Sequence, residues 1–135
     1  MRITADTNIL VRAAVIDEPE QARQALDVLG SAELVVLTLP ALCEFVWVLA
    51  RGYRRAATDI AGALRKLAAA KSVQVDQPAL EAGLALLEAG GDFADGIIAF
   101  EGRRLGGSIF ASFDAKAVEF IAATGADTHF LTTSG

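Results

Sequence analysis

Short apolar runs alternate along the chain with longer stretches of helical periodicity. Residues 2–6 predict a short buried strand that stops at an acid, and 8–14 a short helix with Ile9, Leu10 and Ala13 on one side. Asp17-Glu18-Pro19 reads as a helix start, an acidic cap followed by proline in the first turn. That helix is expected to run to about Leu29 and stop at Gly30. Leu34–Leu37 predicts a second strand. Thr38 and Pro40 open a helix that continues through Leu42, Phe45, Val46 and Leu49 to about Arg51. Gly52-Tyr53 breaks it, and residues 57–70 form its antiparallel partner. A third strand is expected at 73–75. Pro78 begins a helix that ends at Gly90-Gly91, and the next, 93–105, closes at Gly106-Gly107. A strand at 109–113, a helix at 115–123 and an edge strand at 127–131 complete the order. Alternation of this kind predicts an α/β fold, a parallel sheet with helices on both faces.

The length of 135 residues fits one domain, 1–135, able to bury a core. Mean hydropathy is high at +0.43, yet no apolar stretch approaches the roughly 18 residues a membrane helix needs. Asp6 interrupts the start of the chain where a signal peptide would continue its apolar region. Cys43 is the only cysteine, which leaves no intrachain disulfide and fits a reducing cytoplasm. With His129 as the only histidine, soft ligands are too few for a structural zinc site. Membrane, secreted, disordered and zinc-finger classes are excluded.

The net charge of −5 argues against nucleic acid at first sight, but the distribution of that charge matters more than its sum. Most acids lie in mixed-charge stretches. Four do not. Asp6 ends an apolar strand, Glu44 interrupts an apolar helix, Asp95 sits between Phe93-Ala94 and Ile97-Ile98, and Asp114 closes Ile109-Phe110-Ala111-Ser112-Phe113. A carboxylate in apolar surroundings needs a compensating cation or amide dipole. No basic residue stands beside any of the four within its own stretch, so a shared metal ion is expected. Asp6 and Asp114 fall at strand carboxyl ends, where α/β sheets build sites. Glu44 and Asp95 fall near helix starts, where the dipole favours anions. Oxygen ligands without His or Cys select Mg²⁺ or Mn²⁺. Apart from these four, 13 acids face 12 basic residues, so a polyanionic substrate is no longer excluded. Each acid taken singly also has a structural reading, as a cap or a solvated face position; Asp92, for example, is placed to cap the helix that carries Asp95.

Asp6-Thr7-Asn8-Ile9-Leu10-Val11-Arg12 resembles the opening of a PIN domain, in particular the VapC ribonuclease toxins of bacterial toxin–antitoxin pairs. The resemblance continues through Glu44-Phe45-Val46-Trp47-Val48-Leu49 and Asp92-Phe93-Ala94-Asp95-Gly96-Ile97-Ile98-Ala99 to Ser112-Phe113-Asp114, covering nearly the whole chain in order. It implies a three-layer α/β sandwich with a short, mainly parallel central sheet, and an Mg²⁺- or Mn²⁺-dependent endoribonuclease site. Asp6, Glu44, Asp95 and Asp114 match the acidic quartet, the first three as core ligands and Asp114 more weakly or through water. Asn8, Asp92 and Ser112 match supporting positions; Ser112 stands where the family often has Thr. Gly96 stands where Ala is commoner, a departure expected to loosen the helix start by up to about 1 kcal/mol. The resemblance further implies a homodimer, and a cognate VapB-type antitoxin whose tail covers the groove. The chemistry it implies is in-line hydrolysis of an RNA phosphodiester, with one or two metal ions activating water and neutralising phosphoryl charge.

Weaker signals surround the acids. Arg12, the cluster Arg51, Arg54 and Arg55, and Arg103-Arg104 are each either phosphate contacts or ordinary solvated helix-end charges. Trp47 and Tyr53 have faces suited to stacking, although Trp47 on an apolar helix reads first as core or subunit interface. Cys43 reads as a small buried hydrophobe, and His129 has no assigned role. The helices at 41–51 and 57–70 offer more apolar surface than a small sheet requires, compatible with partners.

Three other functions fit the sequence less well. A receiver-like phosphoacceptor domain would need a paired acid near the first strand and a lysine ending a late strand; Asp6-Thr7-Asn8 offers one acid, and no lysine follows Lys116. A non-catalytic PIN-like RNA-binding module is disfavoured by the intact quartet. A Ser or Cys hydrolase lacks a placed histidine.

Overall fold

A computed structural model describes residues 1–132. The chain forms two compact units, Met1–Asp76 and the residues from Gln77 onward. In the first unit the order is β1 (Arg2–Thr4), α1 (Thr7–Ala14), α2 (Pro19–Ser31), β2 (Leu34–Leu37), α3 (Leu39–Trp47), a π-helical segment (Val48–Gly52), α4 (Ala57–Ala68) and β3 (Val73–Val75). The second holds α5 (Gln77–Glu88), α6 (Phe93–Arg104), β4 (Ile109–Ser112), α7 (Ala115–Ala123) and β5 (Asp127–Phe130). The α/β class expected from the pattern is present, with parallel pairing throughout.

β1, β2 and β3 form one sheet in that order, with Ile3 opposite Val35 and Val35 opposite Val73. Alternation along β2 turns Val35 and Leu37 fully inward. β1 is not the buried strand its sequence suggests. It is an end strand of this sheet, and Arg2 and Thr4 are exposed beside half-buried Ile3. The inward face of α1 is also rotated from the expected one: Leu10 and Val11 are buried, while Ile9 and Ala13 are half-covered. Phe45, Leu42, Ile60 and Leu64 complete the fully buried set of the first unit. Thr38 caps α3 as expected, accepting from the Ala41 amide.

In the second unit β4 pairs with β5 from Ile109–Asp127 to Ser112–Phe130, and α7 packs on both strands. Phe93, Leu80, Leu84 and Ile121 are buried within it. Gly90 and Gly106, at φ +100° and +104°, adopt the left-handed conformation that lets α5 and α6 terminate. Gly30 does not, and α2 runs past it to Ser31.

The acids at the start of α2 serve elsewhere. Glu18 makes no side-chain cap bond there. Asp17 instead accepts from Arg12 Nη1 at 3.0 Å and from the Tyr53 hydroxyl at 2.9 Å. This ties the α1–α2 connection to the end of the π-helical segment, 36 residues away in sequence. Arg12 Nε is buried without a partner, so the residue is held rather than displayed. The two shifts agree in sense. Tyr53 lowers the Asp17 carboxyl below 3.8, with Arg12 adding to it, and the bond to Asp17 raises the Tyr53 phenol above 10.0. Because the Asp17 pKa is depressed, its contribution is present above pH 3.8 and lost as pH falls through the native value. Because the Tyr53 pKa is raised, its contribution is present below 10.0 and lost as pH rises through the native value. Tyr53 is the chain's only tyrosine, so tyrosinate absorbance reads it directly. Its midpoint is expected above 10.0, falling back toward 10.0 in Asp17→Ala. An unmoved midpoint would disprove the contact.

Among the described residues, no helix is long and apolar enough to cross a membrane.

Candidate metal centre

The parallel strands of the first unit bring their carboxyl ends to one side, and the chain leaves that side twice toward the acids. Asp6 follows β1 and is the N-cap residue of α1. Its backbone carbonyl accepts from Ile9 and Leu10, while its carboxylate makes no cap bond and stays open. Glu44 lies on α3, the helix that follows β2. Its neighbours Leu42, Phe45 and Val46 are buried, and helical rotation turns Glu44 outward. Thr7 Oγ1 donates to Glu44 Oε2 at 3.1 Å, joining the start of α1 to α3. The sequence assigned Thr7 no role. The only signal was its place between Asp6 and Asn8, and a partner 37 residues away has no local signature. Asn8 is exposed and makes no hydrogen bond to Asp6 among the described residues.

In the second unit, Asp92 caps α6 as anticipated, with Oδ1 accepting from the Ala94 amide at 3.3 Å. Asp95 lies in the first turn of that helix, half-buried. Asp114 follows β4 and caps α7 through one oxygen, Oδ1, which accepts from Lys116 N at 3.0 Å and Ala117 N at 3.2 Å. The Ser112 hydroxyl oxygen accepts the Asp114 backbone amide at 2.9 Å, fixing the turn that presents the acid. Burial raises the Asp95 carboxyl above 3.8, and the charges of Asp92 and Asp114 raise it further. Negative charge is thus crowded here, and none of the three acids makes an ion pair among the described residues.

The expectation of buried acids is corrected. Asp6, Glu44 and Asp114 are exposed and only Asp95 is half-buried. Around Asp6 and Glu44 most apolar neighbours pack inward while the acids stand at an element end or on an outward face, whereas Ile109 and Phe113 near Asp114 are themselves exposed. Within either unit, no three His, Cys, Asp or Glu side chains among the described residues form a ready metal cluster. Each unit by itself nonetheless offers oxygen donors suited to a hard cation: open carboxylate oxygens on Asp6 and Glu44 in the first, and an open oxygen on Asp114 with crowded charge at Asp95 in the second.

The cap and ligand roles of Asp114 are separable. Asp114→Ala is expected to lower stability by about 1 kcal/mol, whereas Asn caps as well as Asp and leaves it nearly unchanged. Urea unfolding of the two variants decides it; equal losses would remove the cap from the account.

The surrounding side chains divide between those already engaged and those left exposed. Arg12 is committed to Asp17 and is not a free phosphate contact. Arg104 stacks its guanidinium 4.4 Å over the Phe100 ring. Trp47 is not core, being 63% exposed. Cys43 is half-buried, and His129 lies exposed on β5. The family model described as PIN domain matches residues 3–122 of this chain. No curated protein matches it.

Proposed function

The chain belongs to the PIN-domain family, whose members are generally metal-dependent nucleases, and on that footing we propose that it is an endoribonuclease toxin of the VapC type. Its site would be the quartet Asp6, Glu44, Asp95 and Asp114, taking Mg²⁺ or Mn²⁺. The observation that carries this reading is the crowding of acids in the second unit, where half-buried Asp95 in the first turn of α6 lies within reach of the Asp92 and Asp114 charges. Such crowding of carboxylates is relieved by a divalent cation.

When bound, that cation supplies an acidified water and neutralises charge on the phosphoryl oxygens. The chain's own residues hold and orient. Asp6 offers an uncommitted carboxylate. Glu44 keeps Oε1 open while Thr7 fixes Oε2. Asp114, with Oδ1 occupied by two backbone amides, has Oδ2 to give and is the weaker ligand. Asp92 and Ser112 set the backbone from which Asp95 and Asp114 project.

A homodimer, a cytoplasmic setting and a VapB-type antitoxin complete the proposal. Uncovered apolar surface supports the partners. The first unit has an open cleft of about 390 Å³ lined by Leu10, Leu26, Leu29 and Leu67, suited to an amphipathic helix.

The test is incubation of a labelled cellular RNA pool with purified protein in Mg²⁺, Mn²⁺ or EDTA. Discrete fragments that disappear in EDTA support the reading. No cleavage with either ion, together with acyl-phosphate formation at Asp6 from a small phosphodonor, would replace it with a phosphoacceptor module.

A further inference from the structure

One turn beyond Glu44 on α3 the surface changes character. Trp47 stands 63% exposed although Val46 and Leu49 beside it are buried. Glu44 and Trp47 are spaced i, i+3 and so share a helix face. The helix then widens into the π-helical segment Val48–Gly52, a rare geometry concentrated at functional sites. Tyr53 anchors the exit to Asp17, and Arg54 follows at φ +54°, a left-handed conformation unusual for a side chain of this size. Arg51, Arg54 and Arg55 are all exposed, and among the described residues none has a carboxylate partner, whereas Arg2, Arg12 and Arg23 all do. No acid occurs between Glu44 and Asp59, in a chain whose net charge is −5.

An exposed indole followed within eight residues by three exposed arginines fits a single-stranded polyanion with unstacked bases. An apolar contact between copies would not call for that charge. Resting on the nuclease reading, we infer that residues 47–55 form a strip that binds single-stranded RNA: Trp47 stacks a base, Arg51, Arg54 and Arg55 contact phosphates, and Glu44 lies at its edge. The strip selects unpaired RNA and positions the nucleotide nearest Glu44.

Trp47 is the only tryptophan, so its emission reports the contact. The cleavage-deficient Asp95→Asn protein is titrated in EDTA with a mixed-sequence single-stranded RNA and with a duplex of equal length. Emission is expected to respond to the single strand and far less to the duplex. Adding Trp47→Ala should weaken single-strand affinity by about 5- to 150-fold, with Trp47→Phe retaining part of it. Each Arg→Gln change should lower the salt slope of binding by about 0.7. Unaltered affinity in Trp47→Ala, alongside divalent-dependent cleavage by the unsubstituted protein, overturns the strip and leaves the nuclease reading standing. A dimer lost in sedimentation with RNA affinity intact also overturns it, making Trp47 a contact between copies. Absence of cleavage with affinity still lost in Trp47→Ala overturns the nuclease reading and retains the strip as an RNA-binding surface.

Discussion

Asp95→Asn is expected to lose at least about 100-fold of the divalent-dependent RNA cleavage, and yet to unfold at a higher temperature than the unsubstituted protein in EDTA. On the proposed quartet the activity loss follows from removing a ligand; even groups that only orient a metal's ligands typically cost about 10- to 100-fold. The stability gain follows from the sign of the shift. Burial first, then Asp92 and Asp114, raise the Asp95 pKa above 3.8. A carboxylate whose native pKa is raised binds its proton more tightly in the folded state, so stability falls as pH rises through that window and stays lowered at neutral pH. Asparagine has no charge to desolvate or repel. Mg²⁺ should reverse the order by stabilising the unsubstituted protein and not the variant. Cleavage rates and thermal melts with Mg²⁺ and with EDTA read all three effects. A variant that melts lower in EDTA would mean that Asp95 is a structural acid.

Gly96→Ala should destabilise the fold by about 3 kcal/mol, at the upper end of what overpacking a core costs, although alanine is the better helix former. A Cβ on Gly96 would lie 2.6 Å from the Ala82 carbonyl oxygen and 3.0 Å from the Gly83 Cα. Neither is a side-chain end that can swing aside. Gly83 is equally confined, because its Cβ would stand 2.7 Å from the ring of Phe93, which is fully buried. α5 and α6 therefore cross in close contact at these two glycines. Read as sequence, Gly96 was a mild defect at the helix start. In the fold it is a steric requirement. Gly62, exposed on α4 with nothing within 4 Å of its Cβ position, is the control. Gly62→Ala should stabilise by up to about 1 kcal/mol. Urea unfolding of both variants gives opposite signs if the close crossing is real; two gains would refute it.

Leu34–Leu37, Val73–Val75 and Ala115–Ala123 have the bounds their patterns predicted, because apolar alternation and helical periodicity act within a few residues. Thr38 and Asp92 cap where short polar side chains precede a helix. The order of the acids, and the placement of Asp6 and Asp114 after strands, followed from the same local rules. The degree of burial did not. Acids flanked by apolar residues were expected inside, and three of the four are exposed, since the direction a helix face turns depends on what it packs against. Arg12 reads in sequence as either a phosphate contact or a solvated helix-end charge, and only the fold pairs it with Asp17 beside Tyr53.

Element identity, parallel pairing and the position of each acid were therefore settled by the chain's own pattern, which encodes periodicity and capping over one or two turns. The Thr7–Glu44 bond, the Asp17–Tyr53 tie and the need for glycine at 96 belong to a different order of information. They arise between segments brought together by folding, where separations of a few tenths of an ångström decide, and no spacing within one segment specifies them.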